Sequence, residues 1–371
     1  MASPIFNFSQ SKRSTQFGRI DVPFEPWLRT QNKEEALLPD LPIIDPHHHL
    51  WDYPGYRYLV PELSADMAGG HKVVSTVYAE CVSMYRGSGP ELLKPLGEVE
   101  FIVGQSAQSA SGLHGPTRIA DAMIGWADLK LGAAVEDVLV AEIESSNGRF
   151  KGTRFSTSWD PAPEIIGSPH DDRPYVLREP GVREGLKTLG RMGLTFDSWS
   201  FFTQLDELVE AVDATPGLTF VLDHCGGPLG YGPYAQNRPE HYAAWKLRMI
   251  ELSRRPNVVC KVGGVLGRGA AFDYLHAEQP PSSELLTELW RPWFEPTIEA
   301  FGPARCMFES NFPLEKMGTN YTVLWNCFKR IAANASEHEK RALFAGTADR
   351  TYRLGKGCAD EPGKLLPCGY S

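Results

Sequence analysis

The chain has 371 residues, of which 42% are hydrophobic and 22% are charged. That composition is ordinary for a globular protein long enough to bury a core without disulfides or structural metals. The formal net charge of −9 argues against a nucleic-acid partner, which needs a basic stripe. Neither a signal-peptide core nor an apolar run of about 18 residues is found, so we expect a cytoplasmic protein without membrane contact.

The predicted elements follow a polar extension over residues 1–40. From residue 41 to 355, short apolar runs rich in β-branched residues alternate with segments of helical periodicity. The predicted strands are residues 42–45, 73–79, 122–127, 150–155, 194–197, 218–223, 258–262 and 305–308. The clearest helices are predicted at 134–145, 182–192, 205–214, 321–333 and 337–345. Residues 356–371 are a predicted tail.

This alternation predicts an α/β fold of the (β/α)₈ TIM-barrel type. A doubly wound open sheet is the alternative, but no glycine-rich phosphate loop follows the first predicted strand. Three connections after strands, 160–180, 226–239 and 263–283, are longer than a barrel requires. We expect these long loops on the C-terminal face, where barrel enzymes bind their substrates.

The strongest chemical signal is the pentapeptide Asp45-Pro46-His47-His48-His49 at the end of the first predicted strand. Alternate strand residues point the same way, so Asp45, His47 and His49 are expected to share one face. Two imidazoles from one strand can ligate one metal ion through their ring nitrogens. A polar turn that happens to be rich in histidine is the alternative interpretation.

A second histidine, His224, follows the apolar sixth strand and precedes Cys225-Gly226-Gly227-Pro228. This position directs its ring toward the mouth of the predicted barrel. His224 is therefore a candidate third metal ligand or an acid–base group that titrates near neutral pH. A core histidine with satisfied hydrogen bonds is the alternative.

These motifs together resemble the amidohydrolase superfamily. The pattern is Asp-x-His-x-His on strand one, Asp-His-x-Gly on strand six and Ser-x-Phe-Pro after strand eight, spanning about residues 41–355. The local segments 47–52, 78–80, 151–154 and 305–313 are most similar to the branch holding 2-pyrone-4,6-dicarboxylate lactonase and sugar lactonases. The resemblance implies a TIM-barrel hydrolase of cyclic esters with one divalent ion, most simply Zn²⁺, held by His47, His49 and His224.

Asn311 departs from this resemblance, which implies an aspartate as metal ligand and base. An amide takes no proton at neutral pH, although its oxygen accepts hydrogen bonds, so catalysis without a metal stays open. Glu309, two residues earlier and on the same expected face, is the first candidate for a displaced catalytic carboxylate. Glu80 and Asp45 are the other candidates. A structural ion pair between Glu309 and Lys261 or an arginine is the alternative.

Cationic and aromatic side chains at the strand ends are candidate substrate contacts. Arg154 and Lys261 favour a substrate that carries a carboxylate, such as a lactone or ring acid. Their pairing with acidic residues inside the barrel is the alternative. Glu80, Ser83 and Trp51 complete the predicted substrate-binding set.

Three functions are consistent with these residues. The first is a hydrolase that opens a lactone of an organic acid, with water activated at the His47/His49/His224 site. The second is a decarboxylase or other lyase on the same barrel, in which the loss of aspartate at Asn311 matters less. The third is a catalytically inactive binding homologue. The sequence leaves the oligomeric state open and is compatible with a homo-oligomer.

Overall fold

The computed structural model describes residues 23–358, apart from 164, 166, 172, 231 and 267–276. Residues 1–22 of the predicted extension and residues 359–371 of the predicted tail therefore lie outside the described residues. The same holds for the central part of the predicted long loop over 263–283. The domain boundaries at residues 40 and 355 stay predictions.

Eight parallel strands form the barrel, and each pairs with the next in chain order. They are β1 Ile43–His48, β4 Val73–Ala79, β5 Arg118–Gly125, β6 Phe150–Ser156, β7 Thr195–Trp199, β8 Thr219–Leu222, β9 Val258–Val262 and β10 Cys306–Phe308. A bridge between His48 and Phe312 brings the last strand back to the first. A hairpin of β2 Trp51–Tyr53 and β3 Tyr56–Tyr58 follows β1. The predicted TIM barrel is confirmed.

Helices separate most of the strands. They are α1 Glu25–Leu28, α2 Val60–Met67, α3 Leu96–Ala110, α4 Val135–Ser145, α5 Pro180–Arg191, α6 Leu205–Ala214, α7 Arg238–Ser253, α8 Ser283–Phe301, α9 Tyr321–Ile331, α10 Glu337–Arg341 and α11 Thr347–Tyr352. A π-helical turn, Ala342–Gly346, joins the last two. None of the helices among the described residues has the length and apolarity needed to cross a lipid bilayer.

The barrel floor is apolar. It is filled by Ile44, Val77, Ala122, Ile124, Val221 and Met307, and Tyr352 of α11 packs against them. Full burial of each such aliphatic side chain contributes about 1.5–3 kcal/mol to folding. Polar side chains from the same strands therefore lie above this floor, toward the strand C-termini.

The segment from Trp27 to Leu38 crosses the outside of the barrel. Its side chains and carbonyls bond to residues far along the chain: Trp27 Nε1 donates to the carbonyl of Ala277, and Gln31 Nε2 to that of Pro281. Lys329 Nζ of α9 donates to the carbonyls of Leu37 and Leu38. These contacts fasten the start of the described chain to its last quarter.

Candidate active site

Glu309 lies between His47 and His224. Its Oε1 is 2.7 Å from Nδ1 of His224 and 3.1 Å from the backbone nitrogen of that residue, and its Oε2 is 3.0 Å from Nδ1 of His47. Burial alone would raise the pKa of Glu309, but the two imidazoles lower it to about 2. The carboxylate is therefore ionised and fixes the direction of both rings.

On the opposite side of His47, a second group of side-chain nitrogen and oxygen atoms converges. Nε2 of His47 lies 3.2 Å from Nε2 of His49, which is 3.3 Å from Oδ1 of Asn311. Nδ1 of His49 is 2.8 Å from the carbonyl of Ala79. Since a carbonyl only accepts, Nδ1 of His49 carries the proton and its Nε2 presents a lone pair. Burial lowers the pKa of both His47 and His49 well below the usual value, so both rings are neutral.

Lys261 lies beneath His47 and is fully buried. Its ammonium is 2.7 Å from Asp197, 3.0 Å from Asp223 and 3.2 Å from Nδ1 of His47. Two of these contacts are with carboxylates, and Nδ1 of His47 lies between the ammonium and Oε2 of Glu309. Lys261 thus meets acids inside the barrel, which is the alternative that the sequence left open, and its role in binding substrate stays a prediction.

Arg154 and Glu80 form a buried ion pair beside this group, with Nε 2.9 Å from Oε1, and Arg154 also donates to the carbonyl of Glu80. Nη1 of Arg154 is 3.5 Å from Nε2 of His47. Burial would raise the pKa of Glu80, but Arg154 lowers it to about 2. Glu80 is thus a permanently charged partner of Arg154, which does not fit the role of a base.

His170 is a site residue that sequence reasoning missed. It comes from the long loop after β6, stacks on Trp126 with ring centroids 4.3 Å apart, and places Nε2 3.4 Å from Oε2 of Glu80. No local pattern identifies it, because its partners lie 44 and 90 residues away in the chain. Trp126, on which His170 stacks, is an aromatic residue at a strand end, and that position is the signal that could have pointed to this part of the site.

The expectation that Asp45 shares a face with His47 and His49 is wrong. The register of β1 on β4 shifts between Asp45 and His48, so the alternation of faces is interrupted there. The carboxylate of Asp45 instead accepts from the backbone N–H of Ser310 and the hydroxyl of Tyr321. Burial raises the pKa of Asp45 to about 6.

Trp51 and Ser83, two predicted substrate contacts, are packed behind the site and have at most 1% of their surface exposed. The Trp51 ring lies parallel to that of His49 at 6.1 Å and so supports it. The segment that follows β4 is held by Glu98, whose Oε1 accepts from the backbone N–H of Cys81 and Ser83 at 2.9 Å. Trp51 and Ser83 are therefore positioned to support the residues of the site from behind.

Burial, followed by the charge of Glu80, raises the pKa of Glu98 to about 7. The folded state therefore binds a proton that the unfolded state releases above pH 4.5, so stability falls as pH rises toward 7. Glu98→Gln keeps a neutral acceptor. We expect it to match the wild type near pH 4.5 and to exceed it at pH 8 by on the order of 1–3 kcal/mol. Urea unfolding at both pH values, with the exposed Glu136→Gln as control, measures this; a pH-independent difference would contradict it.

The backbone that presents His224 and Asn311 adopts left-handed conformations. His224 has φ +53° and Asn311 has φ +52°, values that cost non-glycine residues energy and are typical of functional sites. Gly264 lies against the His224 ring, since a Cβ there would be 2.0 Å from Nδ1. The chain therefore bends sharply at both strand ends to aim these two side chains.

Two groups of residues around His47 could hold a metal ion. His47, His224 and Glu309 have ligand atoms within 4.8 Å of one another, but the latter two already share a hydrogen bond. The second group is His47, His49 and Asn311. Ligands about 2.0–2.1 Å from a tetrahedral Zn²⁺ stand about 3.3 Å apart, close to the 3.2 and 3.3 Å separations within this group.

The charge around this second group also suits a divalent cation. Four carboxylates, Glu80, Asp197, Asp223 and Glu309, face two cations, Arg154 and Lys261. With neutral imidazoles the formal charge is −2, which a divalent ion would neutralise. His224 and Asn311 each keep 5% exposure whereas His47 has none, so a small molecule would approach from their side.

A model of the amidohydrolase family matches residues 44–354. The chain belongs to the amidohydrolase family. It is similar to the uncharacterised protein y4mH of Sinorhizobium fredii, with 29% identity over 85% of this chain and all of that protein. It is also similar to L-fucono-1,5-lactonase of Burkholderia ambifaria, with 24% identity over 86% of this chain and 98% of the lactonase.

A solved amidohydrolase structure from Burkholderia multivorans, with bound zinc, shares the fold. Its TM-score is 0.64 at 22% identity, over 84% of this chain and 99% of that one. The resemblance to the lactonase-like branch of the superfamily is confirmed, as is the interpretation of the chain as an enzyme of lactonase type.

Proposed function

We propose that this enzyme hydrolyses a sugar lactone or a related cyclic ester of an organic acid, with His224 as the group that takes a proton from water. The hydrogen bond from Nδ1 of His224 to Glu309, at 2.7 Å, carries the proposal. A neutral imidazole has one N–H, so donation from Nδ1 leaves Nε2 as the proton acceptor. Glu309 holds the ring and faces the positive charge that forms on it, as carboxylates do in catalytic triads.

This assignment differs from direct proton transfer to Glu309 or Glu80. Glu309 is fully buried below the two imidazoles, whereas the ring of His224 lies at the exposed side of the site. The carboxylate therefore acts through the histidine. The similarity to L-fucono-1,5-lactonase supports the choice of a lactone as substrate.

His47, His49 and Asn311 are the residues that would hold a divalent ion, for which Zn²⁺ is the proposed identity. When bound, such an ion polarises the ester carbonyl toward attack. The zinc in the Burkholderia multivorans structure supports this choice. Arg154, oriented by Glu80, faces the same space and would bind carbonyl or carboxylate oxygens of the substrate.

The bond changes of this reaction balance without a further reactant. The water oxygen adds to the carbonyl carbon as His224 Nε2 accepts a proton. The ring C–O bond then breaks, and His224 returns the proton to the alkoxide that leaves. The product is the open hydroxy acid, and the enzyme regains its starting protonation state.

The experiment uses the purified enzyme with a panel of 1,4- and 1,5-aldonolactones, with and without added Zn²⁺. Acid release is followed with a pH indicator and compared with His224→Ala. Hydrolysis in H₂¹⁸O is expected to place one ¹⁸O atom in the new carboxylate. Carbon dioxide release from an aromatic or sugar acid would instead favour the lyase. Acid release equal in the two proteins would contradict the role of His224.

Gly264→Ala is expected to displace the His224 ring, because the new Cβ would lie 2.0 Å from its Nδ1. A misplacement of this kind costs about 100-fold in turnover. Gly193→Ala is the matched control, since Gly193 has a similar φ of +68° but nothing within 4 Å of a Cβ. Both variants carry the cost of a positive φ, and only Gly264→Ala adds the contact with the ring, so equal turnover in both per folded molecule would contradict the proposed contact.

A further inference from the structure

The side-chain amide of Asn311 lies between an imidazole and a buried carboxylate. Its Oδ1 is 3.3 Å from Nε2 of His49, and its Nδ2 donates to Oε1 of Glu315 at 3.3 Å. Glu315 is 2% exposed and was not among the predicted site residues. One side-chain amide thus connects the histidine pair to a glutamate four residues further on.

The observed direction of the amide is the opposite of what His49 alone would select. Nε2 of His49 presents a lone pair, because Nδ1 donates to the carbonyl of Ala79. A lone pair attracts the NH₂ end of an amide, so Asn311 without another partner would turn its nitrogen toward His49. Oε1 of Glu315 accepts from Nδ2 of Asn311, so Glu315 holds the NH₂ end of the amide and leaves its oxygen facing His49.

Glu315 is itself held in place by two backbone contacts. Its Oε2 accepts from the backbone N–H of Leu266 at 3.2 Å, and its own N–H lies 3.3 Å from the carbonyl of Asn311. Leu266 packs where Gly318 has no side chain, since a Cβ there would be 2.2 Å from the leucine. Each carboxylate oxygen thus has one donor, one from the loop after β9 and one from Asn311.

We propose that Glu315 is a positioning residue that holds the Asn311 amide with its oxygen toward His49, so that an asparagine presents the acceptor a carboxylate would otherwise supply. This role of Glu315 extends the proposed function, and the expected change in turnover rests on that function. The expected change in the orientation of the Asn311 amide is independent of any reaction.

Glu315→Gln tests this with no change in size. Glutamine has one acceptor oxygen for two donors, Leu266 N–H and Asn311 Nδ2. If its oxygen stays on Leu266, its NH₂ faces Asn311 and turns that amide round. Asn311→Asp instead removes the NH₂ donor from which Glu315 accepts, and adding Glu315→Gln supplies a donor between the two side chains. Glu207→Gln, a carboxylate on α6 outside the site, is the matched control.

The first readout is the ¹⁵N signal of His49 Nε2 in histidine-labelled protein. Glu315→Gln is expected to shift it, since the nitrogen gains a hydrogen-bond donor, and Glu207→Gln to leave it unmoved. An unchanged signal in Glu315→Gln overturns the proposal. This readout needs neither a metal nor a substrate, so its result does not depend on whether the enzyme hydrolyses lactones.

The second readout is Zn²⁺ affinity of the metal-stripped enzyme by calorimetry, together with kcat. Outer groups of this kind change metal affinity by about 10–100-fold, and Glu315→Gln is expected to lose that much. The double variant Asn311→Asp/Glu315→Gln should return to within about threefold of the wild type, since contacting residues are not additive. Losses that simply multiply in the double variant would overturn the proposal, because a merely structural Glu315 predicts no rescue.

Discussion

Glu309→Gln is expected to lower kcat by about 10⁴-fold, the loss seen when a triad carboxylate becomes an amide. The carboxylate accepts from His224 at 2.7 Å and faces Nδ1 of His47 at 3.0 Å. A glutamine of the same shape is uncharged, so it stabilises the positive charge that forms on His224 less than the carboxylate does. The effect should fall on kcat, with KM within a few fold, because Glu309 has no exposed surface with which to bind substrate.

Steady-state kinetics on the best lactone, with thermal unfolding to verify the fold, measures this effect. The isosteric Glu207→Gln serves as control. A loss of less than tenfold in Glu309→Gln would contradict the view that this carboxylate orients the catalytic histidine. An equal loss in the control would show that replacing a carboxylate outside the site lowers kcat just as much.

His47→Ala is expected to lower kcat by at least about 10³-fold, a typical loss for a group that contacts the reacting centre. His47 is also the shared member of both candidate ligand groups, so bound Zn²⁺ should fall from one equivalent toward zero. The ring separates Lys261 and Glu309 from His49, and its loss leaves those charges without their common partner.

The adjacent His48→Asn is the matched control for this change. His48 is equally buried on the same strand but turns the other way, where its Nε2 is 2.8 Å from the Thr76 hydroxyl. We expect it to destabilise the fold and to keep kcat and zinc content per folded molecule. The zinc content, measured by atomic emission, and the turnover are both normalised to folded protein. Together they distinguish His47→Ala from His48→Asn. Retention of zinc and turnover in His47→Ala would refute the site assignment.

The strands of this barrel could be predicted because both faces of each are covered. Near-continuous apolar runs, such as 218–222 and 258–262, are typical of buried parallel strands in an α/β protein. The helices were harder to predict from the sequence, and α8 shows the reason. Pro292 and Pro296 lie inside it, and proline in a sequence usually marks the end of a helix. Contacts with α9 and the chain start keep this helix whole despite them.

The histidines and Glu309 could be placed from the sequence because each sits at the C-terminal end of a predicted strand. Their neighbours could not be assigned in the same way. Whether Lys261 meets a substrate or an acid depends on Asp197, which lies 64 residues away in the chain. Glu315 falls in a short turn after β10, where no periodic pattern applies. Charge pairing across the barrel is a property of three-dimensional distance, which a single sequence does not record.

The contacts of the segment from Trp27 to Leu38 have a consequence for how the chain folds. Trp27 and Ala277 are 250 residues apart in the chain, and Asn326 is 292 residues from Glu34. During synthesis the segment has no native surface to join until most of the polypeptide has left the ribosome. Such long-range contacts form slowly, because a large loop must close first. This segment is therefore among the last to dock, and slow docking leaves Trp27 accessible to chaperones during translation.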